Sequence, residues 1–282
     1  MGWKTSVAGA GLALASLAAA AQIQFLRLDQ PVIEARLRAY QGNDAEREAE
    51  LKKLFTESGC HQLSEQDVKL KVSPNVICVL PGQGPETIVV GAHYDHVPAG
   101  AGVVDNWSGA SLLPSLYYSI AGAPRRHTFI FIGFTGEELG LKGSHYYVDH
   151  LSRDERSEIH AMVNMDSLGL GHPEVWASHA DKKLLEMFID LAGRMKIQVS
   201  GMNVENVGTA DSESFAAHKI PRITLHSINQ QTWHILHTSQ DRLDAIHLDD
   251  YYQTYRLISG YLLYLDLYLD QPPPADQPPH TP

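Results

Sequence analysis

The run TIVVGAHYD (87–95) decides the fold: a strand-like apolar stretch that ends on His93 and Asp95. Working outward from it, the same kind of run recurs as HTFIFIGFT (127–135), IHAMVNMD (159–166) and PRITLHS (221–227). Between these runs lie the helical stretches SGASLLPSLYYSIAG (108–122), LKGSHYYVDHL (141–151) and DKKLLEMFIDLAGRM (181–195). Strands that alternate with helices predict an α/β fold, here a three-layer α/β/α arrangement around a mixed but mostly parallel central sheet. Pro114 falls inside the 108–122 pattern, where it removes a backbone donor, so that helix either starts late or bends there.

Further out, residues 30–58 carry Pro31 and then a charged amphipathic helix interrupted at Gly42-Asn43. The segment Leu248 to Leu269 has apolar and aromatic positions at helical spacing, and its tyrosines form a packing face. Cys60 ends a Gly-Cys turn and Cys78 lies in the apolar run NVICVL (75–80). Pairing 60–66 with 73–79 as a hairpin would bring the two sulfurs roughly opposite one another. A disulfide is then feasible in an oxidising compartment, and two separate reduced core thiols are the alternative.

The two ends are of another kind. Lys4, the apolar stretch VAGAGLALASL (7–17) and Ala19-Ala20-Ala21 have the layout of a signal peptide over residues 1–21. Cleavage would leave an exported, periplasmic or extracellular protein. An uncleaved Thr5 to Ile23 would instead hold it at a membrane, although the segment is richer in alanine and glycine than most anchors. QPPPADQPPHTP (271–282) is half proline and is expected to be a solvated, disordered tail. No repeat or composition break divides what remains, so 22–270 is expected to form one domain.

Composition narrows the function. The 282 residues hold 33 acidic and 22 basic side chains, a net charge of −11, which argues against nucleic acid as a partner. With 44% hydrophobic residues the chain can bury a sizeable core. Two cysteines exclude a Cys-rich zinc module.

The chemistry-bearing residues fall at the strand ends. His93 and Asp95 close the first run, Glu137 and Glu138 follow the second, and Asp166 ends the third. In a parallel α/β sheet the carboxyl ends of the strands open onto one crevice, where ligands bind. Asp105 lies on the loop entering the next helix (VVDNWSG, 103–109), and His237 follows the last strand in HILHTSQD. Two histidines and three carboxylates (His93, Asp105, Glu138, Asp166 and His237) make an N/O ligand set suited to Zn²⁺ or a similar divalent ion. Five ligands divide into two per metal and one shared between a pair of ions, with Glu137 beside them to receive a proton. Asp95 could accept a hydrogen bond from the His93 imidazole and fix its orientation. Taken singly each of these has a duller use, as a helix cap or a turn residue.

GAHYDH (91–96), VVDNWSG (103–109), FTGEELGLKGS (134–144), VNMDSLG (163–169) and HTSQDRLD (237–244) stand in the order found in secreted co-catalytic zinc aminopeptidases. The chain resembles the bacterial leucyl aminopeptidases related to glutamate carboxypeptidase II over roughly 70–260, and NVICVLPG (75–82) is similar to the strand that precedes their metal-binding one. The resemblance implies a zinc-exopeptidase fold, two Zn²⁺ and a peptide substrate. It assigns His93 and Asp166 to one zinc, Glu138 and His237 to the other, and Asp105 to both. It implies attack on the scissile carbonyl by a hydroxide bridging the two zincs, with Glu137 as general base.

The chain departs from the family pattern in places. Trp107 stands where members often have a small residue, so its ring is expected to narrow or reshape the cleft. TADSESFAAHKIP (209–221) resembles the family's Ser-Asp-His stretch, but Ala210 and Ser212 replace its Ser and His, which puts a role for Asp211 in doubt. His234 and Leu236 stand where an aromatic often precedes the ligand histidine. Asn106-Trp107-Ser108 matches a glycosylation acceptor only by coincidence, beside a metal ligand. A glutaminyl cyclase-like zinc aminoacyltransferase on the same fold, which uses one zinc, is the alternative function, and VVDNWSG and GLKGS favour the peptidase. A carboxypeptidase, which needs basic residues for a terminal carboxylate, ranks lower because Arg242 is the only arginine near a motif. A scaffold that has lost its activity fits poorly with an intact ligand set.

Overall fold

The computed structural model describes residues 26–69 and 71–271. The expected signal peptide and all of the expected tail beyond Gln271 lie outside these residues. Two helices open the described chain, α1 (Gln30–Leu37) with Pro31 in its first turn and α2 (Asp44–Glu57). The break at Gly42-Asn43 is where the sequence places it. Asn43 caps α2 by accepting the Glu46 backbone N–H.

Among the described residues eight strands form one sheet: β1 (Leu63–Gln66), β2 (Asn75–Leu80), β3 (Thr87–His93), β4 (Thr128–Phe134), β5 (Ile159–Met165), β6 (Glu174–Val175), β7 (Ser200–Gly201) and β8 (Arg222–His226). Their order is β1-β2-β4-β3-β5-β8-β6-β7. The central strands β4, β3, β5 and β8 run parallel, as helical crossovers between them require. Antiparallel pairs join β1 to β2, β2 to β4 and β6 to β8. The sheet is therefore mixed with a parallel middle.

The helices between the strands begin with α3 (Ser108–Ala110) and α4 (Leu113–Ala121). Pro114 is in the first turn of α4, where its missing N–H costs nothing, so the pattern over 108–122 is two helices. Next come α5 (Lys142–Asp149), α6 (Arg153–Ser157), α7 (Lys182–Met195), α8 (Ser212–Ala216) and the terminal α9 (Leu248–Tyr268). Residue alternation on the strands sorts them into two layers. Ile88, Val90, Phe129, Phe131, Ala161 and Val163 face a deep core shared with α1, α2, α4, α7 and α9. Val89, Ile132, Phe134 and Met162 face a thinner core closed by Tyr147 and Val148 of α5 and Phe215 of α8. Tyr251, Tyr255 and Tyr261 of α9 are fully buried in the deep layer, a packing face as the helical spacing predicts. Among the described residues no helix is long and apolar enough to cross a membrane.

Cys60 and Cys78 form a disulfide. The strand register differs from the simple hairpin, because Leu63 rather than Cys60 stands opposite Cys78. Cys60 still belongs to the end of α2, its N–H bonded to the Phe55 carbonyl, and it crosses to Cys78 from there. The bridge ties α2 to the sheet across a separation of 18 residues, a loop length at which such a link contributes about 3 kcal/mol. Replacing both cysteines by alanine is expected to lower the free energy of unfolding by about that much in a urea titration. An unchanged midpoint would mean that the bridge does not constrain the unfolded chain.

Candidate metal centre

The parallel strands deliver their last residues to one end of the sheet. His93 is the final residue of β3, Asp166 directly follows β5, and Glu137 and Glu138 follow β4 after Thr135 and Gly136. Asp105 sits in a tight turn, Val103–Trp107, between β3 and α3, where its peptide bond to Asn106 is cis. His237 arrives last, on an irregular segment after β8, with a left-handed backbone.

Asp105 is the hub. One carboxylate oxygen lies 3.2 Å from His93 Nε2 and the other 3.2 Å from His237 Nε2. His93 Nε2 is also 3.4 Å from an Asp166 oxygen, and His237 Nε2 is 3.0 Å from Glu138 Oε2. The ligand atoms thus fall into two groups, His93–Asp105–Asp166 and Asp105–Glu138–His237, each within 4.8 Å and joined through Asp105. Glu137 groups with His93 and Glu138 over the same short range. All five ligands expected from the sequence, and the expected base, stand together.

Four of them, His93, Asp105, Glu137 and Glu138, are held from behind. The carboxylate of Asp95 accepts the backbone N–H groups of Glu137 and Glu138, both at 3.2 Å. His93 Nδ1 is instead 3.2 Å from the Asp95 main-chain carbonyl, with the carboxylate 3.7 Å away. Asp95 therefore orients the imidazole through its backbone, while its side chain sets the Glu137-Glu138 turn. Asp241, four residues after His237, accepts the N–H groups of Val104 and Asp105 at 2.7 and 3.1 Å and fixes the hub's turn. The buried Asn106 side chain accepts the Gly109 and Ser167 N–H groups and donates to the Met165 carbonyl, which ties that turn to the end of β5. A Cβ on Gly109 would lie 2.6 Å from the Asn106 oxygen and 2.7 Å from the Met165 carbonyl, so only glycine lets α3 approach this closely.

Sequence reasoning missed Arg47. From α2, its fully buried guanidinium donates to the carbonyls of Tyr94, Ala101 and Gly102 and of Gln41. Those first three carbonyls belong to the loop that separates His93 from Asp105. No local pattern around 47 signals this contact, since it joins residues about fifty apart. Trp107 corrects an expectation. Its ring is buried in the helical layer, Nε1 bonded to the Arg36 carbonyl and the Arg47 guanidinium 5.9 Å from the ring centre, and it does not line the cleft. Buried Asn106 is likewise inaccessible to glycosylation. Asp211 is buried, and neither of its oxygens accepts a hydrogen bond.

The cleft over the cluster is a cavity of about 690 Å³. Asp105, Glu137, Glu138, Asp166 and His237 form its floor, and Trp176, Val204, Val207, Ile228 and Leu236 contribute apolar walls. Trp233 and His234 stand at its edge on a short turn.

Burial crowds like charges here. With the side chains alone, burial pushes the Glu137 carboxyl up to about 10 and Glu138 to about 7. The Asp105 hydrogen bond raises His237 to about 9. Burial works against a charge on His93, but Glu137, Asp105 and Asp166 outweigh it and hold its pKa well above the usual range. Asp105 goes the other way: its burial is outweighed by the two histidines, and its pKa is lowered. Divalent cations fit this donor set on two observations. Asp105 presents one oxygen to each ligand group, and Glu138 Oε1 is buried without a hydrogen-bond partner.

Residues 75–262 match the profile of peptidase family M28, and the chain belongs to that family. It is 34% identical over 140 residues to Aminopeptidase YwaD of Bacillus subtilis (strain 168), a match covering 49% of this chain and 29% of that one. The fold superposes on the zinc aminopeptidase BSAP of Bacillus subtilis with a TM-score of 0.62 and 26% identity, over 67% of this chain and 49% of that one. A glutaminyl cyclase from an Acidobacteriales bacterium shares the fold at a TM-score of 0.68 and 19% identity, over 86% and 93% of the two chains. The chain thus spans about a third or less of the length of the curated relatives it matches.

Glu137, Glu138 and His237 all hold protons more tightly in the folded chain than in the unfolded one. As pH rises the unfolded state releases those protons first, so their contribution to stability is lost between about pH 4.5 and pH 10. Asp105 has the opposite sign, but its window lies below pH 4. In excess chelator the melting temperature is therefore expected to fall from pH 5.5 to pH 8.5. Added zinc should flatten or reverse that slope, because its ligands must deprotonate to bind. A chelated protein that grows more stable over this range would contradict the crowding of charges.

Proposed function

We propose that this chain is a metal-dependent aminopeptidase that hydrolyses N-terminal residues from peptides. The observation that carries the proposal is the division of Asp105 between two ligand groups, with Glu137 beside them at the floor of an apolar cleft. His93 and Asp166 would hold one zinc, Glu138 and His237 the other, and Asp105 both. Zinc at such a site supplies Lewis acidity toward the scissile carbonyl and lowers the pKa of water.

The protein's own residues supply the rest. Glu137 would accept a proton from the attacking water and return it to the departing amine. Its carboxyl has to be ionised for that task, and nearby cations reverse the effect of burial. Asp95 keeps the Glu137 backbone fixed, so the base returns to the same position each turnover. The apolar walls from Trp176, Val204, Val207, Ile228 and Leu236 favour an uncharged N-terminal side chain, since a charge set against them loses its hydration. An exported protein is in keeping with the sequence of residues 1–21 and with the Cys60–Cys78 disulfide, since such bridges persist in oxidising compartments.

The test combines kinetics with metal counting. Glu137→Gln is expected to lower kcat on leucyl-amide by roughly 10²–10⁴-fold with metal content unchanged. Glu138→Ala should lose metal, and chelation should abolish activity until zinc is restored. Leucyl substrates should be cleaved at least tenfold better than lysyl ones. Equal metal loss in both variants would contradict the division of roles. Pyroglutamate formation from a glutaminyl peptide without peptide hydrolysis would replace the aminopeptidase with the cyclase.

A further inference from the structure

At the opposite end of the sheet, where the parallel strands begin, a second cluster of donors comes together. His127 immediately precedes β4, His160 is the second residue of β5, and Asp270 follows α9. His127 Nε2 lies 2.7 Å from Asp270 Oδ2, and His160 Nδ1 lies 2.8 Å from Asp270 Oδ1. The three donor atoms all fall within 4.8 Å of one another. The two imidazoles meet edge to face, their centres 6.0 Å apart. Behind His127, its Nδ1 is 3.1 Å from Asp266 Oδ1, a buried carboxylate that also accepts the Arg126 and His127 backbone N–H groups.

The geometry points to a second metal site, a divalent transition-metal centre held by His127 Nε2, His160 Nδ1 and Asp270, with no part in the cleft chemistry. Three features support it. Asp266 fixes the His127 ring so that Nε2 faces outward, the carboxylate–histidine arrangement that orients ring ligands at metal sites. Imidazole nitrogens favour zinc, copper or nickel over magnesium or calcium. Tetrahedral ligands about 2.0–2.1 Å from zinc stand roughly 3.3–3.4 Å apart, so the carboxylate and rings need to spread by only about 0.6 Å. Asp270 and His160 are partly exposed and free to make that adjustment, and a cavity of about 590 Å³ opens on both, with room for a solvent ligand.

Without a cation, Asp270 partners the outward-facing nitrogens of both imidazoles, with Asp266 behind His127. A bound ion would tie the end of α9 to β4 and β5. Lys183 already binds the Leu269 carbonyl there, so the end of α9 is in place to contribute its carboxylate.

The test uses the full chain, stripped of metal and reloaded with zinc, with His160→Ala and Asp270→Asn as surface substitutions that leave the cleft untouched. The wild type is expected to retain one zinc more than either variant after gel filtration, while their peptide hydrolysis stays at wild-type level. Copper loaded into a His93→Ala, Asp105→Ala, His237→Ala background, which removes both imidazoles of the cleft cluster and the carboxylate they share, should give an electron paramagnetic resonance spectrum with coupling to two imidazole nitrogens. His160→Ala should remove one nitrogen and weaken copper binding at least tenfold. Equal zinc content in the wild type and both variants, or a copper spectrum unaffected by His160→Ala, would overturn the site and leave a His–Asp–His ion cluster. Neither result depends on whether the cleft hydrolyses peptides.

Discussion

Four carboxylates crowd around two imidazoles at the floor of one cleft, His93 buried just beneath it, and the mutual repulsion of the carboxylates is the constraint around which the molecule is organised. Asp105, Glu137, Glu138 and Asp166 could not all be ionised there unaided, because burial and neighbouring negative charge both oppose it. The scaffold holds these groups in place with oriented donors. Backbone N–H groups bind Asp95 and Asp241, and a buried guanidinium binds the loop between His93 and Asp105. The negative charge left uncompensated is what would make the cluster a receptor for the proposed cations.

The asymmetry of the layers serves the same end. A thick helical layer backs one face of the sheet; Arg47 reaches from it to the underside of the His93–Asp105 loop, and Trp107 packs back into it. The thin layer of α5 and α8 leaves the strand ends open on the other side, where the cleft forms. Parallel strands β4, β3, β5 and β8 carry their last residues to that opening together, so ligands far apart in sequence meet without long loops.

Much of this was legible in the sequence. The alternation of apolar runs and helical stretches gave the layered fold, and the acidic and histidine residues that end those runs are the ones found clustered. The rest depended on distant approach. The Asp95 carboxylate bonds a turn forty residues away rather than its own neighbour's ring, and Trp107 turns into the helical layer because Arg36 and Arg47 come to meet it there. Leu63 rather than Cys60 stands opposite Cys78, because the end of α2 holds Cys60 ahead of the point where the strand starts. Motifs report the residues whose chemistry is local, and partners such as Arg47 leave no local pattern.

The central claim is that Asp105 is shared between two ions. Diffraction at the zinc absorption edge from crystals of the zinc-loaded protein tests it most directly. The account predicts two anomalous peaks about 3.5–4 Å apart on either side of the Asp105 carboxylate. One peak alone, on His237 and Glu138 with His93 and Asp166 uninvolved, would contradict it.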